Sequence, residues 1–522
     1  MTTQPKAKGK SDLAFDLDKP SVYTRLISVH SEDAQEDVMP QSCFIGIDQG
    51  SSSTKALALS MDGQVLFRTK KALAPAFRDG LRVEQDPLAI LASVREVLDE
   101  TIPYLRSAGV AIIGIGLACQ RSSCLAWEEL TGKPLSPVLS WRDTRGADYV
   151  QSIGASSQRI FDITGLPLTP YYAASKFRWL KDHMQETRGP GVVFGTLSSF
   201  LCQRLTNADR AAIDHTNAAR TQLMNIHSCA WEDELLKLFG LIDIRLPAIT
   251  PTLHNFGTIQ AGAEKIPLLA CIGDQQAAMA GLGILEKNDG GINYGTGGFL
   301  MVNTGSSLVP AAGLMASIHY STDQTRHYLV EGSVNAVGDS LEWLREQLHV
   351  FKEYAELDDL CWQAATDVVA FIGLNGTGSP HWERNISSSI HGLTAASKSC
   401  DIVRSAVESI AFFMKDIATA AGKSGLEPVS FAVSGGLVSL SYLVQVQSDI
   451  LGRDLRISAE QEVSALGAAL LAGLSLGVWS SKDIKKLVPQ VEEVQARHNA
   501  GAEKRYRRWK ELHRMTKQLD EM

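Results

Sequence analysis

Three short turns rich in glycine and hydroxyl residues carry the chemistry that this sequence offers. The first lies in "FIGIDQGSSSTKALALS", Phe44 to Ser60. An apolar run ends at Asp48, a small-residue turn follows with Gly50, Ser51, Ser52, Ser53 and Thr54, and Lys55 opens a second apolar run. Glycine lets a backbone approach an anion closely, and successive N–H groups in a tight turn form an anion-binding nest. The hydroxyls add donors and Lys55 adds a cation. Asp48 would repel a phosphate unless a divalent cation lay between them, so a bridging Mg²⁺ is its natural companion. The plainer alternative is a hairpin with a solvated aspartate. "NYGTGGF" (Asn293–Phe299) repeats the pattern with Gly295 and Thr296, and "AVSGGLVS" (Ala432–Ser439) repeats it with Gly435 and Gly436. Three such turns on two α/β halves can converge on one nucleotide. The site is not a Walker P-loop, because no G-x-x-x-x-G-K-[ST] occurs.

The flanking sequence says what positions these turns. "FIGID" and "KALALSM" read as strands, and "MDGQVLFRTKKAL" reads as a hairpin through Asp62-Gly63 into a third strand. "PLAILASVREVLDETIPYL" has helical spacing after the start signal Asp86-Pro87, and "VAIIGIGLACQ" has the length and composition of a buried parallel strand. Three antiparallel strands, a helix and a parallel strand make a ribonuclease-H-like start. The order partly recurs after residue 285. "GGINYGTGGFLMVNTG" and "RHYLVEGSV" are strand-like, and "DIVRSAVESIAFFMKDIATAAGK" is amphipathic. "PVSFAVSGGLVS" is again a strand ending in glycines, and "SALGAALLAGLSLGVW" is a small-residue helix. The expectation is a duplicated α/β core with a cleft between its halves. Its parts are a partly disordered extension at 1–42, halves at 43–283 and 284–487, and a helical tail at 488–522. In the extension, "VYTRLISV" could add a strand or dock a partner. In the tail, Tyr506, Trp509, Leu512 and Leu519 form one stripe. That stripe fits a helix docked on the body better than a basic partner-binding helix.

Composition bounds the function. The 522 residues suffice for about three ordinary domains or two large ones. With 44% hydrophobic and 21% charged residues, the chain reads as a soluble globular protein. A net charge of −8 argues against a nucleic-acid partner. No apolar run is long enough to span a bilayer, and the N-terminus lacks the apolar core of a secretory signal. The eight cysteines form no C-x-x-C pair and mostly sit in apolar runs, which suits reduced thiols in the cytoplasm rather than a zinc site.

In their order, the three turns resemble the two phosphate motifs and the adenosine motif of the actin–hexokinase–heat-shock chaperone superfamily. Within it the chain is similar to the FGGY carbohydrate kinases, those of glycerol kinase type above all. The similarity runs from Phe44 to about Trp479. It includes "GIDQGSSSTKA", "GLACQRSSCLAWEELTGKPLSPVLSWRDTR", "TGLPLTPYYAASKFRWL", "DHTNAARTQLMNIH", "IGDQQAAMAG", "YGTGGFLMVNTG" and "VEGSVNAVGDSLEWLRE". The resemblance implies two actin-like ATPase domains around a catalytic cleft. It implies ATP and Mg²⁺ as cofactors, a small polyhydroxy substrate, and family members that often form homo-oligomers. The γ-phosphate would pass to a substrate hydroxyl, a reaction that needs positioning, charge neutralisation and a proton acceptor. The resemblance makes Asp274 that acceptor, with helix N-capping as its plain alternative. It makes Asp48 and Asp274 the metal-associated carboxylates. Substrate contacts fall to Arg121, Ser122, Trp141, Tyr171, Asp274 and Gln275. Nucleotide contacts fall to Gly50, Ser51, Ser52, Lys55, Gly295, Thr296, Gly338, Glu342, Gly435 and Gly436.

The chain departs from the pattern at four places. "QRSS" replaces "QRET", putting Ser122 where glycerol kinases grip glycerol with a carboxylate. Glu342 replaces a glutamine, Ser434 replaces the aspartate of Asp-Gly-Gly, and Ser387 stands where an arginine is usual. Three functions therefore stay open: a glycerol-type polyol kinase, the same chemistry on a larger alditol or a ketose, and a non-catalytic nucleotide-binding regulator. Retention of Asp48, Lys55, Asp274 and Thr296 disfavours the last.

Overall fold

The computed structural model describes residues 41–522 apart from Thr296. The expectations for the N-terminal extension, including its "VYTRLISV", and for Thr296 lie outside the described residues. Two mixed sheets carry the structure. The first begins with β1 (Ser42–Gln49), β2 (Ser53–Ser60) and β3 (Val65–Ala72), which are antiparallel neighbours. Helix α1 (Pro87–Ser107) follows, its first turn capped by the Asp86 side chain, and leads into β4 (Ala111–Cys119), parallel to β1. A smaller five-stranded sheet and helices, among them α2 (Ala173–His183), are inserted before β5 (Thr258–Ala261) and β6 (Glu264–Gly273). The order across the sheet is β5-β6-β4-β1-β2-β3. Helix α3 (Asp274–Gly281) follows directly.

The second sheet repeats this plan. Strands β7 (Gly290–Tyr294), β8 (Gly298–Gly305), β9 (Met315–Ser321) and β10 (Arg326–Val334) form its antiparallel part. Helices α4 (Gly338–Glu346) and α5 (Ser399–Gly422) precede β11 (Ser430–Gly435), which lies parallel to β7, and β12 (Asp454–Ser458) extends the sheet. Helix α6 (Val463–Ser475) then corresponds to α3 of the first half. The ribonuclease-H-like order expected from the sequence is thus present twice.

The tail is helical as expected only in its second part. Strand β13 (Gln490–Val494) pairs with β12 and closes the edge of the second sheet. Helix α7 (Ala500–Asp520) docks on the second half as expected, with Trp509 in its core and Tyr506 and Leu512 packed against it; only Leu519 of the expected stripe departs. Ala502, Trp509, His513 and Thr516 are buried, whereas Leu519 is 67% exposed. Polar residues tolerate this face because each has a partner: Trp509 donates to Ser409 at 3.0 Å, His513 meets Glu383 at 2.6 Å, and Arg505 forks onto Glu408. Ser387 is also occupied here, bonding Asp520 from its amide and hydroxyl at 2.7 Å each.

Alternation along the first sheet separates its two faces, as a period of two requires. Ile45, Ile47, Ala56, Ala58, Ile115 and Leu117 pack with Ile90, Val94 and Leu98 of α1. Phe44, Leu57, Leu59 and Ala118 face Ala465, Ala468, Ala469 and Ala472 of α6 instead. The exchange is reciprocal. Helix α3, which leaves the first sheet, places Ala278 and Met279 against Met301, Leu329 and Ala432 of the second. The two helices cross at backbone contact. A Cβ on Gly467 would lie 1.8 Å from the Ala277 carbonyl oxygen, and one on Gly281 would lie 1.9 Å from that of Val463.

No side chain fits at this crossing without separating the helices. Gly467→Ala should therefore destabilise the protein by about 3 kcal/mol or more, at the upper end of the usual cost of overpacking. Gly422→Ala, where an added Cβ meets nothing within 4 Å, should be neutral or stabilising by up to about 1 kcal/mol. Urea unfolding of both variants measures the difference.

Candidate active site

The first glycine turn joins β1 to β2. Asp48 lies directly opposite Lys55 in the register of these strands, with Lys55 Nζ 3.9 Å from its carboxylate. Lys55 forms a closer ion pair with Glu462, the residue that precedes α6. It therefore stands between two carboxylates from opposite halves of the molecule. Gly50 closes the turn onto the Ser53 carbonyl at 3.0 Å. The Ser51 hydroxyl donates to Gln120 at 3.2 Å and accepts from the Trp141 indole N–H at 3.1 Å. The phosphate-type turn is thus tied to an aromatic residue expected to touch substrate. Ser52 is exposed, and its carbonyl accepts from Leu73 N–H.

Asp274 is the first residue of α3. Its carboxylate accepts from the Gln275 amide at 2.8 Å and lies 3.5 Å from Arg121 Nε. Gly273, not Asp274, occupies the N-cap position, so the capping alternative does not account for this side chain. Burial pushes the Asp274 carboxyl above its ordinary range, against the pull of Arg121. Burial likewise raises Asp48 to about 7; Lys55 opposes this, while the charges of Asp274 and Glu462 add to it. Two mutually repelling carboxylates, partly shielded from water, suit a divalent cation that keeps water and phosphate oxygens as further ligands. Among the described residues, no cluster of three or more His, Cys, Asp or Glu could hold a metal by itself.

Arg121, two residues beyond β4, reaches across the molecule. It forks onto Glu331 of β10 at 3.0 and 3.2 Å and donates to Gln276 Oε1 at 3.3 Å. Arg220 pairs with the same Glu331, whose side chain is fully buried. Burial pushes Glu331 up, but Arg121 and then Arg220 outweigh it and hold the carboxyl below its usual range. Phe299, opposite Asn293 at the base of the second turn, covers the Arg121 guanidinium with 5.9 Å from ring centre to carbon.

The second and third turns are neighbours. Tyr294 pairs with Gly435, and Asn293 donates to Ser434 Oγ at 3.0 Å. A Cβ on Gly435, whose φ is +103°, would fall 2.2 Å from the Tyr294 carbonyl oxygen, so this turn requires glycine. Gly338 starts α4 with its N–H bonded to Gly295 O at 3.1 Å, which points that helix N-terminus at the second turn. A Cβ on Gly436 would meet nothing within 4 Å, leaving the third turn open on that side.

Other expected residues spend their polar groups on local partners or lie open to solvent. The Glu342 carboxylate is bound to Arg345 at 2.7 Å and to the Tyr354 hydroxyl at 2.8 Å. Gln276, the neighbour of Gln275, bonds Arg121, and Gln275 Oε1 is buried without a hydrogen-bond partner among the described residues. Ser122 is buried with φ +62° and turns its hydroxyl to the Arg220 carbonyl at 3.5 Å. Trp141 and Tyr171 are 38% and 50% exposed and so can cover a ligand. Glu331, Arg220, Gln276, Glu462 and Phe299 were not singled out from sequence. The signal was present only as proximity, since "VEGSV", "IGDQQ" and "YGTGGF" already mattered for other residues.

Two actin-like ATPase domains with charged groups shared between them are the architecture of a class of phosphotransferases. Residues 43–281 match the N-terminal domain model, and residues 290–476 the C-terminal domain model, of the FGGY family of carbohydrate kinases. The chain belongs to this family. It is 33% identical over 458 residues to the glycerol kinase of Shewanella oneidensis, covering 85% of this chain and 92% of that protein. It is 34% identical over 452 residues to that of a Marinomonas species, covering 84% and 91%. The solved glycerol kinase of Plasmodium falciparum with ADP superposes with a TM-score of 0.85 at 28% identity, covering 91% of this chain and 98% of that one. The protein is an ATP-dependent carbohydrate kinase, a phosphotransferase that acts on an alcohol group and uses Mg²⁺. Among the described residues, no helix is long and apolar enough to cross a membrane.

Glu331→Ala would leave Arg121 and Arg220 facing each other without their shared counter-charge. Breaking a buried pair in this way costs about 3–5 kcal/mol, which urea unfolding at neutral pH should show. The depressed carboxyl contributes fully above the ordinary glutamate pKa, about 4.3, and loses its contribution as pH falls through the lower folded value. Wild type should therefore lose more stability than Glu331→Gln between about pH 5 and pH 2, as thermal midpoints will record.

Proposed function

We propose that this kinase phosphorylates a small polyol, with Asp274 taking the proton from the acceptor hydroxyl. The observation that carries the reading is the placement of Asp274. It begins a helix, beside Arg121 and near Asp48, where burial raises its carboxyl and so improves it as a proton acceptor. Arg121 and Gln275 offer donors to hydroxyls, and Trp141 and Tyr171 offer ring faces to the C–H side of the acceptor. Gly50, Ser51 and Ser52 on one half, and Gly295, Thr296, Gly338, Gly435 and Gly436 on the other, hold the nucleotide. Asp48 and Asp274 would hold Mg²⁺, which supplies charge neutralisation along the phosphates. Lys55, set between Asp48 and Glu462, orients the carboxylate and remains within reach of phosphate. Glu342 has committed its carboxylate elsewhere and acts by supporting α4.

In this reading, residues 43–283 bind substrate and phosphate, 284–487 bind nucleotide, and 488–522 support the second half. The net charge of −8 and the small site favour a metabolite over nucleic acid. The eight buried unpaired thiols favour a reducing, cytoplasmic setting. Homo-oligomers are in keeping with the family resemblance.

A second reading concerns acceptor size. Ser122 replaces a carboxylate and turns its hydroxyl away onto a backbone carbonyl. Glycerol thereby loses a charge-assisted partner, and space opens for a longer alditol or a ketose.

Two measurements test these roles. Asp274→Asn keeps the shape of the site but removes the proton acceptor. It should lower turnover by about 10²–10⁴-fold with ATP affinity within a few-fold; a variant retaining a tenth of wild-type turnover would contradict the role. Coupled assays across alditols and ketoses should rank a larger compound above glycerol in kcat/KM. Ser122→Glu should shift the ranking toward glycerol by about ten- to a hundredfold, the worth of one charge-assisted hydrogen bond. Glycerol as the best wild-type substrate would sink the second reading and leave the first.

A further inference from the structure

Lys176 lies on α2, completely buried. Its ammonium donates to three backbone carbonyls: Ser122 at 3.1 Å, Ser140 at 2.7 Å and Tyr171 at 2.7 Å. An ammonium has three N–H donors, and here all three are spent on the main chain. The three carbonyls belong to separate segments. One is the turn after β4 that carries Arg121 and Ser122, the second immediately precedes Trp141, and the third is Tyr171 itself. Apolar packing carries the amine there. Ala173, Ala174, Phe177 and Leu180 of α2 pack with Leu139, Phe194 and Phe239, and Lys176 shares their buried face. A buried lysine ordinarily pairs with a carboxylate. Lys176 forms no ion pair among the described residues, so the cost of its burial is offset chiefly by the three carbonyls it bonds.

We infer that Lys176 is a positioning residue for the acceptor pocket, its ammonium holding the Ser122, Ser140 and Tyr171 segments so that Arg121, Trp141 and Tyr171 keep one relative arrangement. The inference rests on the acceptor pocket proposed above. It adds a residue that touches neither acceptor nor nucleotide and acts only through those that do.

The ammonium's three-fold bonding makes the pocket sensitive to alkali. A neutral amine has two N–H groups and a lone pair, so deprotonation leaves one carbonyl unbonded and frees its segment. Burial pushes the Lys176 amine down to about 8. Cys124 and Asp143, from the segments packed against it, pull the other way, and Arg145 adds to the push. Arg145 is itself paired with Asp143 and Glu84. Acceptor affinity should therefore fall as pH rises through about 8. The linkage for global stability has the opposite sign. Between about 8 and the ordinary lysine value near 10.4, the unfolded chain binds more protons at this residue than the folded chain. This group's contribution to stability thus rises with pH in the window where the pocket loosens.

The test compares the full-length wild type with Lys176→Met, a variant of similar length with no donors. Steady-state kinetics at about pH 6.5 to 9.5 use the best acceptor of the alditol and ketose panel, with thermal midpoints recorded alongside. Lys176→Met should raise KM for the acceptor about tenfold or more, with KM for ATP within about twofold. In wild type, acceptor KM should rise above about pH 8 without a matching loss of stability, and in Lys176→Met that rise should be absent. Parallel rises in both KM values in the variant, or a wild-type acceptor KM that is flat through pH 8, would overturn the inference. If the variant does not fold, the wild-type profile decides alone. Failure of the underlying reading is distinct: wild type would phosphorylate no alditol or ketose at any pH, and both proposals would fall together.

Discussion

The structure depends on two helices crossing at backbone contact. Each leaves one sheet and packs against the face of the other, and glycine at the crossing, Gly281 on α3 and Gly467 on α6, lets carbonyl oxygens approach where a Cβ would stand. Neither sheet is covered without the other half's helix, so the two halves cannot bury their apolar faces separately. The crossing also sets the chemistry. Asp274 opens α3 and Glu462 precedes α6, so both carboxylates are carried to the same region by the packing of alanines and glycines behind them. Ser464 reinforces the arrangement by donating to the Asp274 carbonyl at 3.2 Å. The same closeness recurs where α6 meets the first sheet, since a Cβ on Gly46 would lie 1.8 Å from the Ala465 carbonyl oxygen.

Around that crossing the charges alternate from half to half. Lys55 of the first half lies between Asp48 and Glu462, and Arg121 of the first half lies between Asp274 and Glu331. Buried ion pairs add little net stability over well-packed apolar groups, and their desolvation is costly. Their value here is positional. Arg121 opposes the rise that burial imposes on the Asp274 carboxyl, and it is held in place for that by Glu331, which binds the rest of its guanidinium. Arg121 of the first half is therefore anchored to Glu331 of the second.

Much of the fold was legible because its signals are local. Alternation marks β1 and β2, Asp86-Pro87 marks the start of α1, and the glycine turns stand out because only small residues fit where strands meet phosphate-type loops. The ribonuclease-H-like order could be read twice for the same reason. What escaped was long-range. Glu331 is separated by 210 residues from Arg121 and by 111 from Arg220. Lys176, within "AASKFRWL", looks like an ordinary polar position on an amphipathic helix, and its partners lie in three other segments. The docked face of α7 was misread at Leu519 for a related reason. A buried histidine or arginine with a carboxylate partner has the same sequence signature as an exposed one, and the partner is supplied by the tertiary fold.

The serine at position 122 gains its meaning from this charge arrangement. Arg121 and Arg220 face Glu331 and Asp274, two positive against two negative, so the acceptor side is balanced without any charge at residue 122. A carboxylate there would add a negative charge beside Asp274, raising the cost of ionising the base before it has taken its proton. With serine the ground state is neutral. In the proposed mechanism, transfer of the acceptor's proton to Asp274 would leave one arginine charge uncompensated just as negative charge builds on the departing nucleotide. In the second reading proposed above, the substitution that would weaken the grip on a three-carbon polyol thus also keeps the electrostatics favourable to phosphoryl transfer. In that reading acceptor recognition falls to hydroxyl donors, Arg121 and the rings of Trp141 and Tyr171, whose combined surface would suit an acceptor with more carbons to cover.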